Sequence, residues 1–263
     1  MLISAALICL SVFGIFSGAA FIVATVYIPI FIQGVQGGSA TNSGLLLLPM
    51  VLGTTVSAQL GGFLSSKTSY RNVMIISSLI FVAGIFMLTT LSTDTSRFVV
   101  TMFMIVVGLG IGASFSVLGM AAIHHFDKSR RGTAQSTIAF LRSLGMAIGV
   151  TVFGIIQRNL FTEKLTETFH GASGNGTGAQ PPTNSLLNDP HALLSPETRA
   201  GIPPQILDQI SEALSSSIAQ TFVWTLIPAV LSLLCVFLMT KERMQEIKPE
   251  PRKAVELDKT KAQ

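Results

Sequence analysis

Six long apolar segments, each close to the length of a membrane span, restrict the fold of this 263-residue chain more than any other feature. A helix needs roughly 20 mostly apolar residues to cross a bilayer, and its backbone must satisfy its own hydrogen bonds there. Only 11% of the residues are charged, against about 25% in soluble domains. We therefore predict an all-α integral membrane protein, a six-transmembrane-helix bundle. The predicted spans are Ala5–Ile32, Gly44–Leu64, Val73–Leu91, Phe98–Ala122, Ala134–Ile156 and Thr221–Met239.

The distribution of Lys and Arg between the spans predicts the topology, because short cytoplasmic connections carry an excess of both. With residue 1 in the cytoplasm, the inner loops and tail hold Lys67, Arg71, Lys128, Arg130, Arg131 and a basic run that begins at Lys241. We expect a multi-pass protein of the cell (plasma) membrane with both termini cytoplasmic. Because the basic residues lie in loops and a tail, the sequence does not indicate nucleic acid as a partner.

The predicted divisions follow from these spans. Residues 1–157 hold transmembrane helices 1–5 with short loops, 158–220 an extracytoplasmic loop with an amphipathic helix, 221–240 transmembrane helix 6, and 241–263 a cytoplasmic tail. The amphipathic helix is predicted by apolar residues at helical spacing, namely Ile206, Leu207, Ile210, Leu214 and Ile218. Two placements remain open for it: the outer membrane surface, or the outer face of the protein itself.

Small residues recur inside the spans and predict closely packed helices, because Gly lets two backbones approach. The pairs Gly14 with Gly18 and Gly145 with Gly149 are spaced as GxxxG, and Gly108, Gly110 and Gly112 fall in one run.

Arg142 is the one clear charge inside a predicted span, where a guanidinium costs roughly 2.5–3.5 kcal/mol on insertion scales. It is our main candidate for a substrate-binding or cavity residue. A side chain that reaches back to the inner interface is the alternative. Further cavity candidates are Tyr27, Gln33, Gln59 and Phe115. All thirteen acidic residues lie outside the predicted spans, so the sequence offers no obvious intramembrane proton carrier.

No pattern in the sequence predicts a catalytic or metal site. The stretch "HHFDKSRRG" lacks the ligand spacing of a metal centre and is interpreted as a basic cytoplasmic loop. Nucleophile elbows, HExxH pairs and phosphate-binding glycine loops are absent from the sequence. We therefore do not expect an enzyme, and we expect no cofactor.

Several stretches, taken in order, resemble the C-terminal half of fourteen-span drug:proton antiporters of the major facilitator superfamily. The first is "YIPIFIQGVQGGSATNSGLLLLPMVLG", from Tyr27 to Gly53, and a later one is "RRGTAQSTIAFLRSLGMAIGVTVFG". Between them, "GGFLSSKTSYR" is similar to the superfamily's cytoplasmic loop motif, roughly G-x-L-A-D-R-x-G-R-R. Gly62, Leu64, Lys67 and Arg71 match that motif or nearly so. Ser66 replaces its acidic residue and Ser69 its second glycine, which weakens a gating role for the acidic position.

The resemblance implies a function and a missing part. It implies that the chain is part of a proton-coupled multidrug efflux carrier that works by alternating access. Such a carrier transports small lipophilic or cationic compounds and uses the proton gradient as its energy source. It also implies an N-terminal transporter half that this chain lacks, so the chain is expected to be a truncated frame or one half of a split carrier. A six-span remnant that does not transport, or a partner subunit, is the alternative.

Overall fold

The computed structural model describes residues 2–124, 131–173 and 203–239, and these residues form six α-helices and no strand. The helices are α1 (Leu2–Gly34), α2 (Ala40–Lys67), α3 (Tyr70–Leu88), α4 (Arg97–His124), α5 (Arg131–Ser173) and α6 (Pro204–Phe237). Each is long and apolar enough to cross a membrane. The predicted fold class is confirmed.

Hydroxyl caps explain why two helices begin before their apolar runs. The side chain of Ser39 accepts a hydrogen bond from the Asn42 N–H at the start of α2, and Ser69 does the same for the Asn72 N–H of α3. Such caps satisfy backbone donors that have no partner in the first turn. At the end of α1, Gly37 has φ 65°, and the Gly38 N–H donates to the Ile32 carbonyl, a reversal that favours glycine.

The largest difference from the predicted organisation lies in the segment 158–220. The structure continues α5 to Ser173 and starts α6 at Pro204, so residues 158–173 and 204–220 extend the neighbouring helices. The amphipathic segment is not a separate surface helix, since Ile210, Leu214 and Ile218 are buried in the main core. The predicted helix starts at Asp189–Pro190 and Ser195–Pro196, and the tail 241–263, lie outside the described residues.

Packing explains this extension. Phe161 and Leu165 of α5 share the main core with Ile210 and Leu214 of α6, and all four side chains are almost fully buried. In these extensions, α5 and α6 cover each other's apolar side chains, although the continuous apolar segment of each helix does not reach this far. With 43 residues, α5 is about 64 Å long and therefore exceeds the roughly 30 Å hydrocarbon core.

The helix contacts repeat after three helices. Helix α4 packs between α2 and α3, and helix α1 packs in the same way between α5 and α6. Helices α3 and α6 also pack on each other. Exchanging the first three helices with the last three reproduces these contacts, as expected of a bundle built from a 3+3 repeat. The exchange fails for one pair, because α5 packs on α6 whereas α2 and α3 barely touch.

Candidate functional site

The candidate site surrounds Arg142, where α5 crosses α1 and approaches α4. Gly18 of α1 faces the Arg142 backbone, and a Cβ atom added to Gly18 would lie 2.7 Å from the Arg142 carbonyl oxygen. Gly149 is equally close to α1, since its Cβ would lie 2.7 Å from the Ala19 Cα. The predicted close packing is confirmed at Gly18 and Gly149, and it fixes the Arg142 backbone against α1.

The Arg142 side chain extends from this crossing to an aromatic pair. Its Cζ lies 4.6 Å from the centroid of the Phe115 ring on α4. Phe115 in turn meets Phe21 of α1 edge to face, with ring centroids 5.7 Å apart and planes at 80°. The guanidinium therefore rests on the face of an oriented ring, a favourable position for a cation.

The free energy of this contact alone does not offset the cost of placing a charge inside a membrane span. A cation–π contact contributes about 0.5–2 kcal/mol, less than the roughly 2.5–3.5 kcal/mol that an arginine costs at the centre of a span. Arg142 Nε is buried and has no hydrogen-bond partner among the described residues. The side chain as a whole is only half-buried. The terminal nitrogens of its guanidinium are therefore available to water or to an acceptor from outside the described residues.

The other predicted cavity residues lie away from this pair. Tyr27 is 4% exposed in the main core, beside Gly154 of α5. Gln33 donates from Nε2 to the Ser43 hydroxyl at 2.8 Å and so joins the ends of α1 and α2. Gln59 is exposed on α2. The structure brings together Arg142 and Phe115, whereas Tyr27 and Gln33 lie further along α1 and Gln59 lies on α2.

The predicted gating-loop residues surround the turn between α2 and α3. Gly62 faces the Ser116 hydroxyl of α4, Leu64 is exposed, and the Lys67 ammonium lies 4.5 Å from the Phe63 ring centroid. Arg71 donates from a terminal guanidinium nitrogen to the Phe237 carbonyl oxygen at 2.7 Å. That carbonyl belongs to the last turn of α6, where backbone acceptors lack helical partners. Arg71 therefore ties the α2–α3 turn to the end of α6.

Sequence reasoning missed two serines that join α2 and α3 to α4. The Ser57 hydroxyl donates to the Leu109 carbonyl and accepts from the Ala113 N–H. The Ser77 hydroxyl donates to the Gly110 carbonyl and accepts from both the N–H and the hydroxyl of Ser114. The available signal was a serine in each of two apolar helices and a glycine-rich run in a third, because glycine exposes backbone acceptors to a neighbouring helix.

Comparison with known proteins identifies the family. Residues 1–150 match the model of the Major Facilitator Superfamily. Over 238 residues, 90% of the chain, it is 41% identical to Multidrug resistance protein 3 of Bacillus subtilis and covers 46% of that protein. It is 30% identical over 214 residues, 80% of the chain, to the Multidrug transporter protein MdtP of the same organism, covering 39% of it. The chain thus spans less than half the length of these relatives.

Solved structures give the same fold. The inward open xylose transporter XylE from E. coli superposes with a TM-score of 0.61 at 14% identity, over 91% of this chain and 49% of that one. A bacterial homologue of the lysosomal transporter Spinster gives a TM-score of 0.60 at 17% identity, over 88% of this chain and 49% of that one. These relatives and neighbours are transporters, not enzymes. The chain is a multi-pass membrane protein that belongs to the Major Facilitator Superfamily.

Proposed function

We propose that the chain is the C-terminal half of a proton-coupled multidrug efflux carrier of the fourteen-span type, exporting small lipophilic or cationic compounds by alternating access. The observation that carries this proposal is the 41% identity to a multidrug resistance protein across 90% of the chain. The second relative, also a multidrug transporter by name, aligns over 80% of the chain.

The exposure of the helices supports a second half. In the most apolar stretches of α2 and α5, 22% of the residues are buried, against 61% in α1. Helices α2 and α5 correspond to each other in the 3+3 repeat, so their open faces are equivalent positions. In carriers built from such repeats, the two halves rock against each other around a central site. We propose that α2 and α5 face the second half.

Arg142 and Phe115 form the centre of the proposed cavity wall. The guanidinium offers unused donors to a counter-charge of the second half or to an acceptor group of the transported compound, and the Phe115 and Phe21 rings offer apolar surface. Gln59, exposed on α2, is a second cavity candidate, whereas Tyr27 and Gln33 position helices. We propose that Lys67 and Arg71 act at the cytoplasmic side, with both chain termini in the cytoplasm of a plasma-membrane protein.

Dye efflux in cells that lack other exporters tests the half-carrier proposal. This chain is expressed alone, or together with the N-terminal half of Multidrug resistance protein 3, and ethidium loss is followed with and without a protonophore. We expect protonophore-sensitive efflux only when both halves are present. Efflux by the chain alone would contradict the proposal of a half carrier. No efflux from two halves that are both present in the membrane would support the non-transporting alternative.

Arg142 is tested in the same two-half system. We expect Arg142→Ala to reduce ethidium efflux at least tenfold, because the unused donors are lost, while the amount of protein in the membrane stays unchanged. Arg158→Ala is the matched control, since Arg158 is an exposed arginine of the same helix. Full efflux by the Arg142→Ala variant would remove Arg142 from the site.

A further inference from the structure

A groove of about 130 Å³ separates α2 from α3 at the surface of the bundle. Leu60 and Leu64 of α2 form one wall, Ile76 and Ile80 of α3 form the other, and Leu109 of α4 forms part of the floor. Helices α2 and α3 barely touch each other, because both pack on α4. The groove is therefore a consequence of how the three helices meet.

The interior of the groove offers almost no hydrogen-bonding capacity. Its two hydroxyl groups, on Ser57 and Ser77, already donate to backbone carbonyls of α4 and accept hydrogen bonds from α4 donors. The remaining lining consists of apolar side chains and a glycine. An occupant must therefore be apolar along the length that enters the groove.

The rim of the groove is open at the surface of the bundle. Leu60, Leu64 and Ile76 are each more than two-fifths exposed, at 54%, 43% and 57%. Pockets that hold a drug-sized ligand measure roughly 300–1,000 Å³, so this groove is too small for such a ligand. A few methylene groups of a hydrocarbon chain fit its size, and the open side lets the rest of that chain remain outside the groove.

A positive charge marks one end of the groove. Lys67 is the last residue of α2 and lies three residues beyond Leu64, so the two side chains share one helix face. Its ammonium group contacts the Phe63 ring and forms no ion pair among the described residues. Phe63 is itself 58% exposed. A negatively charged group beside Lys67 would thus complement the charge one helical turn from the apolar groove.

We propose that the groove binds one acyl chain of an anionic phospholipid whose headgroup lies at Lys67. The helices α2 and α3 hold the chain, and the ammonium group selects the headgroup charge. The proposal rests on the membrane location of the chain and not on its transport activity.

Tryptophan quenching by brominated lipids tests this site in the reconstituted chain. A tryptophan is placed beneath Lys67 by Phe63→Trp in a Trp224→Phe background, and quenching by brominated phosphatidylglycerol is compared with that by brominated phosphatidylcholine. We expect an apparent preference of about fivefold for the anionic lipid, the effect typical of one basic residue near an anionic surface. The native Trp224, 48% exposed on α6, is the matched reporter and should show no preference.

Two further variants separate the headgroup from the groove. Lys67→Gln should reduce the preference at the Phe63→Trp reporter to about one. Leu109→Phe, which fills the floor from α4, should also reduce it, because the acyl chain can no longer enter. Equal quenching by the two lipids at the Phe63→Trp reporter would overturn the proposal. An unchanged preference in either further variant would also overturn it.

Discussion

At the residue scale, Ser77 and Ser78 allow a hydroxyl that forms hydrogen bonds between helices to be compared with an adjacent hydroxyl that forms none among the described residues. Both are buried on α3, at 3% and 1% exposure. The Ser77 hydroxyl makes three hydrogen bonds to α4, whereas the Ser78 hydroxyl has no partner among the described residues. We predict that Ser77→Ala lowers the free energy of unfolding by about 0.6–1.7 kcal/mol, the range measured for hydrogen bonds between membrane helices.

Ser78→Ala is the control, and it should be neutral or stabilising, because it removes a buried hydroxyl that has no hydrogen-bond partner in the described part of the chain. The measurement is unfolding of the purified chain in mixed micelles with increasing sodium dodecyl sulfate, followed by circular dichroism. Equal losses for the two variants would mean that the hydrogen bonds of Ser77 contribute no stability.

Gly18 supplies a second prediction at this scale. Its Cβ would lie 2.7 Å from a backbone oxygen of Arg142, so Gly18→Ala must separate α1 from α5. Overpacking of this kind costs about 1–3 kcal/mol, and we expect an equivalent loss in the same unfolding assay. Gly44→Ala is the matched control within a helix, because nothing lies within 4 Å of its added Cβ. A Gly18→Ala variant as stable as Gly44→Ala would contradict the close crossing of α1 and α5.

At the scale of the helix, Arg71 connects the start of α3 to the end of α6. Its guanidinium donates to the Phe237 carbonyl, and a cation at a helix C-terminus contributes about 0.3–1 kcal/mol. We predict that Arg71→Gln speeds backbone amide exchange in the last turn of α6 about two- to fivefold. Hydrogen–deuterium exchange with peptide mass spectrometry measures this change.

Lys67→Gln is the matched control for Arg71→Gln, because Lys67 lies near the same turn but, within the described part of the chain, its ammonium group contacts the Phe63 ring and no residue of α6. It should leave the exchange at the end of α6 unchanged. The same acceleration in both variants would indicate a general effect of charge at this end of the bundle and would contradict a specific tie.

The helices also show which features of the fold could be predicted from the sequence. Their number and type follow from the length and apolarity of six segments, since the hydrocarbon core dictates both. Their ends do not, because Ser39 and Ser69 cap helices outside the apolar runs and because Phe161 pairs with residues of α6 distant in sequence. Arg142 was identifiable as an isolated charge. Its contact with Phe115 depends on how α4 and α5 meet, which no local pattern contains.

At the scale of the molecule, the equivalence of α2 and α5 in the 3+3 repeat predicts what their exposed faces meet. If these faces line an aqueous cavity between two halves, small side chains on them contact water. We expect the exposed face of α3 to contact lipid instead, because α3 packs on α4 and α6 and has few contacts with α2. Ser143 of α5 and Ala83 of α3 are both small and exposed. Labelling at these two positions therefore compares the proposed aqueous cavity with the lipid-facing side.

We predict that Ser143→Cys reacts with a membrane-impermeant maleimide at least tenfold faster than Ala83→Cys, in a background with serine at Cys9 and Cys235. The assay uses the chain together with the N-terminal half that supports efflux, because the cavity requires both walls. A thiol in hydrocarbon stays protonated and meets little reagent, whereas a thiol in water forms the reactive thiolate. Equally slow labelling at both positions would place α5 against lipid and would remove the proposed interface. Faster labelling that persists without the second half would show that α5 contacts water regardless of assembly.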